Sequence, residues 1–288
     1  MFVVNFFFNE GVYAMKKYLL LSGVLGAVMS FNQVAHAEAE PAATMAAPAY
    51  TLNYNLGVYS NYMFRGVALS NGAALQGGID WAHNSGFYLG TWFSNIDEQY
   101  AGKSSTQDGN RWEIDFYGGY AHTFDNGIGL NFLGNYYTYP NREDSLSGHK
   151  QDTFEASVGV SYEWLTYTYY RALTDYYGSD NENGSRRDTK GADYNELKAK
   201  YKLPFYDLNL SGKVGYTNTR HINGDQGDML IGLDRDFAVP FQGKSIDGFN
   251  AGAYFTSTFD VQDEGFYVSN TGRNVNEDKL TVYVKRTW

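Results

Sequence analysis

Charged residues that could act together recur at alternate positions along this chain. The acids are Asp80, Glu113, Asp115, Glu155, Glu163, Glu196 and Asp234, and the bases are Arg111, Lys198, Lys200, Lys202, Lys213 and Lys285. Carboxylates and ammonium groups on one polar face can pair as buried salt bridges and fill a space. Alternatively they line a wet passage and bias which ions and dipoles cross it. The acids come mostly from 111–124 and 153–163, and four of the lysines come from 193–203 and 208–218. At a shared depth the two walls would set a field across the passage.

Other chemistry finds weaker footing. A hydrolytic enzyme needs a histidine beside a nucleophile or carboxylate. His83 and His122 fall on an apolar face, whereas His149 and His221 fall in polar stretches, near Arg142, Glu143, Asp144 and Asp152 and near Asp225 and Asp228 respectively. A water activated by Asp and His at a loop rim is the enzymatic alternative. The run Asp180-Asn181-Glu182-Asn183-Gly184 spaces oxygen ligands like the start of a calcium loop but lacks the acid further on. There is no HExxH, no GxSxG and no phosphate-cradling glycine loop. No cofactor, metal site or catalytic residue is expected.

Composition narrows the classes further. With no cysteine among its 288 residues the chain has no disulfide, thiolate metal site or thiol nucleophile. A net charge of −10 excludes the basic surface that nucleic-acid binding requires. Aromatic residues make up 17%, too many for a disordered chain, yet mean hydropathy is −0.45, so the rings must be interleaved with polar residues.

That interleaving has the period of a strand. Leu52, Tyr54, Leu56, Val58 and Tyr62 alternate with Asn53, Asn55, Tyr59 and Asn61; Phe154, Ala156, Val158, Val160 and Tyr162 alternate with Thr153, Glu155, Ser157 and Ser161. Segments of this kind fall near 51–62, 73–83, 86–96, 111–124, 128–139, 153–163, 165–173, 193–203, 208–218, 228–237, 248–259 and 279–288. Long polar connections alternate with tight ones at Asn84-Ser85, Asp125-Asn126-Gly127, Glu163-Trp164 and Pro204–Asp207; the connection Ala238–Asp247 is longer than this alternation wants. On the apolar face, Trp81, Phe87, Phe124, Tyr162, Phe249 and Trp288 lie toward the short-turn end. Phe64, Trp112, Tyr136, Phe154, Tyr169 and Tyr216 lie toward the long-loop end. Two belts of rings on an alternating chain predict an all-β, up-and-down transmembrane barrel of about twelve strands, with both termini on the short-turn side. On that reading Asp80, Arg111, Glu113, Asp115, Glu155, Glu196, Lys198, Lys200, Lys202, Lys213 and Asp234 line the lumen.

The N-terminal region reads as a targeting segment. Lys16 and Lys17, an apolar stretch Tyr18–Phe31 and Ala35-His36-Ala37 form a secretory signal peptide over 1–37, with 1–14 upstream of the start at Met15. Residues 38–49 form an Ala/Pro-rich periplasmic leader, and 50–288 form the barrel.

The stretch Asn53–Asp97 carries a family likeness: Ser60-Asn61-Tyr62, Phe64-Arg65-Gly66, Gln76-Gly77-Gly78-Ile79-Asp80, His83-Asn84-Ser85-Gly86-Phe87-Tyr88, Gly90-Thr91-Trp92 and Ser94-Asn95. It resembles the opening of the TorF porin family, a conserved proteobacterial family of hypothetical outer-membrane proteins. The resemblance implies an outer-membrane barrel of a Gram-negative bacterium and brings no substrate or binding residue with it. The expected function is passive diffusion of small hydrophilic solutes or ions, with a barrel enzyme acting at the loop rim or a closed structural barrel as alternatives. Expected partners are outer-membrane lipid, the solute, and the barrel-assembly machinery, reached through the last strand with its Leu280, Val282, Val284, Arg286, Trp288 face. Arg286 departs from the apolar residue that such a terminal strand would carry.

Overall fold

The computed structural model describes residues 48–96, 112–140, 151–177, 181–182, 185–186, 188–269 and 272–288. The segments of alternating polarity form one closed antiparallel barrel. Its strands are β1 (Tyr50–Tyr59), β2 (Ala74–His83), β3 (Phe87–Asn95), β4 (Trp112–Thr123), β5 (Ile128–Thr138), β6 (Thr153–Tyr162), β7 (Leu165–Ala172), β8 (Asp193–Lys202), β9 (Leu208–Asn218), β10 (Gln226–Phe241), β11 (Lys244–Phe259) and β12 (Lys279–Thr287). Each pairs with its neighbours in sequence, and β1 closes the ring by pairing with β12 from Asn55↔Thr287 to Tyr59↔Tyr283. Tyr54 and Trp288 exchange both backbone hydrogen bonds at the seam, 3.1 and 2.9 Å. Closure leaves the ring with no edge strand, which is what a sheet in hydrocarbon requires.

Side-chain alternation decides which face is which. In β6, Phe154, Val158, Val160 and Tyr162 are exposed while Thr153, Glu155 and Ser157 are buried. The same holds around the ring: Leu52, Leu56, Val58, Phe116, Phe132, Ile231, Leu233, Phe255, Leu280 and Val282 all face outward and are exposed. A continuous apolar exterior of this extent belongs in lipid, since a water-facing protein keeps such patches to a few hundred Å². This barrel is therefore of the membrane-spanning kind.

Two regions differ from the sequence expectation. Tyr62 and Phe64 alternate in phase with β1 and read as part of its lipid face and belt, yet they are only 1% and 6% exposed. The strand ends at Tyr59, and the segment after it folds into the barrel, so its apolar residues meet the lumen's interior and not lipid. The second is Ala238–Asp247, expected as a loop. Instead β10 continues to Phe241 and β11 begins at Lys244, with a register shift between Phe237 and Val239. Gln242 and Gly243, at φ 48° and 76°, make the two-residue turn that hairpin twist favours. This ribbon runs past Arg235 and Phe249, where the neighbouring strands stop pairing with it. With both of its faces exposed it needs no apolar alternation, so it leaves none in the sequence.

Candidate pore interior

The segment 60–73 joins β1 to β2 at the long-loop end and crosses the barrel. Its tip is a miniature hairpin in which Met63–Phe64 pair with Val67–Ala68 around Arg65-Gly66, at φ 47° and 80°. Its base is tied by Leu69 N–H to Tyr62 O, 2.8 Å, and by Tyr62 N–H to Ser70 Oγ, 2.7 Å. We refer to it as the strap. Gly66 is required twice over: its φ is left-handed, and a Cβ there would lie 2.5 Å from Thr258 Cγ2 on β11.

Arg65 anchors the strap to the far wall. Its Nη1 and Nη2 donate to Glu155 Oε1 and Oε2 on β6 at 2.9 and 2.8 Å, and both residues are buried. The guanidinium carbon lies 4.3 Å from the Tyr194 ring centroid on β8 and 5.0 Å from that of Tyr170 on β7. Gln226 of β10 donates to the Arg65 carbonyl at 3.0 Å. Burial is the largest influence and works against the guanidinium's charge, but the Glu155 carboxylate, Tyr176 and Tyr177 together hold Arg65 above its ordinary pKa. A planar fork matched to a carboxylate and flanked by ring faces is a setting that arginine fits and lysine does not.

Tyrosines fill the space around the anchor. Phe64 packs edge-on against Tyr137 and Tyr177, Tyr137 donates to Glu155 at 3.2 Å, and Tyr62 donates to Glu113 at 3.2 Å and meets Trp92 edge-on. Tyr194 donates to Asp228 at 2.8 Å, and Lys213 reaches the same carboxylate at 2.7 Å. Loop residues cover this layer: Tyr177 N–H bonds Thr153 Oγ1 at 2.7 Å, and Tyr176 N–H bonds Thr189 Oγ1 at 2.9 Å. Burial raises both tyrosine hydroxyls above their ordinary pKa, so they stay neutral.

Toward the short turns the lining changes. Lys198, Lys200 and Lys202 follow one another down β8; all three are partly wet, and the last, Lys202, is 68% exposed. Lys198 lies 3.7 Å from Glu196, Lys200 lies 3.6 Å from Asp234, and Lys202 lies 3.7 Å from Asp207. Asp234 also accepts from Asn209 and Asn250 at 2.8 and 2.9 Å. Across the barrel Tyr117 donates to Asp80, whose other oxygen accepts from Asn55 at 3.4 Å.

The predicted lining residues can now be placed. Asp80, Glu113, Asp115, Glu155, Glu196, Lys198, Lys200, Lys202, Lys213 and Asp234 occupy inward positions of their strands. Glu163 does not: it sits exposed in the turn between β6 and β7, at φ 51°. Arg111 and His149 lie outside the described residues, as do 1–47, which include the signal peptide and most of the leader, and most of the Asp180–Gly184 run. The acids of β4 and β6 do not share a depth with the β8 lysines. Glu113, Asp115 and Glu155 stand at the starts of strands that descend from the long loops, whereas Lys198–Lys202 end a strand descending the same way. Charge is thus separated along the axis and not across it, and each lysine meets a carboxylate on its own side. Arg65, Gly66 and the tyrosine layer had no role on sequence grounds. Their only signal was the Phe64-Arg65-Gly66 triplet, an arginine and a turn-forming glycine within an apolar run.

Outside the barrel, Trp81, Phe87, Phe124, Tyr162 and Trp288 occupy outward positions at the short-turn end, and Trp112, Tyr136, Phe154 and Tyr216 at the long-loop end. His83 stacks on Trp81 and His122 meets Phe124 edge-on in the outward set, while His221 Nδ1 lies 2.5 Å from the carbonyl oxygen of Asp188.

Fold and interior together define a twelve-stranded antiparallel membrane barrel with a polar lumen and an inward strap. Over residues 42–288 the chain belongs to the family described as "Bacterial protein of unknown function (Gcw_chp)". No curated protein matches it. Among solved structures it is similar to a KdgM porin in complex with disordered oligogalacturonate, at 7% identity over 82% of this chain and 98% of that one, TM-score 0.45. It is also similar to Salmonella typhi OmpF in complex with daunomycin, at 9% identity over 83% and 97%, TM-score 0.40. For Pseudomonas aeruginosa OprD the identity is 12% over 82% of this chain and 65% of that one, TM-score 0.36. At these scores the barrel rests on its own strand pairing and not on the likenesses.

Proposed function

We propose that this protein is a porin-like channel of the Gram-negative outer membrane, exported by its N-terminal signal and passing small hydrophilic solutes or ions passively. The observation that carries this reading is the inward face of β8 to β11. There Lys198, Lys200, Lys202, Asn209, Asp234 and Asn250 form a charged, polar wall within an apolar exterior, wet at its lysines. A barrel kept only as a scaffold has no need of partly exposed lysines in its interior. The strap stands in this route, and charge on the lysine wall biases which ions use it. The resemblance to TorF-type porins agrees with this assignment. Lipid is held by the outward rings, and the barrel-assembly machinery reads the β12 strand with its terminal Trp288.

The test is conductance of the chain from Glu38 onward, refolded in detergent and placed in a planar bilayer under a salt gradient. Reproducible steps with a measurable reversal potential are expected. Changing Lys198, Lys200 and Lys202 together to glutamate should shift that potential toward cations, and an unchanged potential would remove those lysines from the route. The strap favours a second reading, a closed structural barrel, which predicts silence from a correctly folded protein.

A further inference from the structure

Beneath the strap, one stretch of wall holds two buried carboxylates, three of whose oxygens accept no hydrogen bond. Glu113 and Asp115 point inward from the first turn of alternation in β4 and are 1% and 0% exposed. Tyr62 donates to Glu113 Oε1, but Glu113 Oε2 and both oxygens of Asp115 make no hydrogen bond. Among the described residues neither carboxylate has an ion-pair partner. Of the buried lumen cations, Arg65 gives both ends of its fork to Glu155, and Lys213 is held by Asp228.

A second, neutral side chain is aimed at the same place. Asn135 of β5 stands two residues from Tyr137, the cross-strand partner of Asp115, and lies against Asp115 from the next strand. It is 1% exposed, and its amide oxygen and nitrogen are both without a hydrogen bond. Buried polar atoms are almost always satisfied, so four orphaned oxygens on two adjacent strands call for an occupant. With no cation beside them the two carboxylates would have to stay charged and uncompensated in a dry layer or take up protons, and a bound cation removes that conflict.

We propose that Glu113, Asp115 and the amide oxygen of Asn135 hold a hard divalent cation of the calcium type. The donor set is all oxygen, which selects calcium or magnesium over zinc and copper. Its two negative charges match a divalent ion. Two carboxylates and one amide are few ligands, so affinity falls in the weak extracellular range, about 0.1–1 mM. The site lies in the wall behind the strap, away from the lysine-lined half. It stands or falls independently of whether the barrel conducts.

The whole mature chain is refolded in detergent with EDTA or with 10 mM calcium, and bound metal is measured by equilibrium dialysis. Wild type should bind one calcium per barrel with half-saturation near 1 mM and unfold at a higher temperature in calcium than in EDTA. The paired variant Glu113→Gln with Asp115→Asn should lose at least ten-fold in affinity and lose the thermal response. No binding by folded wild type, or equal binding by the folded variant, overturns the site. If the variant does not fold, terbium replaces calcium in the wild type. Trp92, the cross-strand partner of Asp115 and 2% exposed, should sensitise its emission, and excess calcium should quench it. Absent sensitised emission, or emission that calcium does not displace, overturns the proposal equally.

Discussion

The two halves of the lumen use the same vocabulary of charge and reach opposite results. At the long-loop end Arg65 and Glu155 are almost wholly buried, joined by two short bonds and walled by tyrosine rings. At the short-turn end Lys200 and Asp234 stand 3.6 Å apart with the lysine side chain 26% exposed, and Asp234 keeps two asparagine donors whether or not the lysine is there. In the first half the paired charges rest on buried protein partners alone. In the second, water and neutral amides share the load. A salt bridge therefore says little about its energetic weight until its surroundings are known.

Substitutions can break or sharpen that contrast. The largest effect is expected from Glu155→Ala, which strands the Arg65 guanidinium in the dry layer and should cost about 3–5 kcal/mol in urea unfolding. Arg65 would also leave the wall, so any conductance should rise in the same variant. Next comes Tyr194→Phe, which removes the hydroxyl bonded to the buried Asp228 and should cost about 1.5–3 kcal/mol. Lys200→Gln in the wet half should cost less than about 1 kcal/mol while moving the reversal potential, because the charge is screened and Asp234 stays solvated by Asn209 and Asn250. The smallest change is Gln242→Gly at the ribbon tip, where relief of a left-handed φ should stabilise by about 0.5 kcal/mol and leave conductance untouched. If Lys200→Gln proved as costly as Glu155→Ala, the division into dry and wet halves would be wrong.

The strands were legible because lipid on one side and polar lining on the other impose a period of two, and that period survives in Phe154–Tyr162 and Trp112–Thr123 without reference to any neighbour. Inward and outward faces followed from the same signal. Depth did not. Glu155 and Lys198 both occupy polar positions, and only the registers of β6, β7 and β8 show that one stands beneath the loops and the other near the turns. The strap was hidden for a different reason. Tyr62, Phe64 and Val67 look the same whether they face lipid or a packed interior, and the inward fold is decided by partners as far away in sequence as Glu155 and Gln226. The ribbon beyond Arg235 was hidden because nothing covers either of its faces.

Both ends of the strap run directly into adjacent strands, β1 and β2, so Arg65 is tethered to its docking site on β6 by the covalent chain itself. Docking is then an intramolecular event. Its equilibrium is set by an effective concentration that a short tether keeps in the millimolar range or above, and it does not change on dilution. A detached peptide copying 60–73 would have to reach such levels to compete for Glu155. Occupancy of the far wall is thus a property of each single barrel, indifferent to how many copies share the membrane.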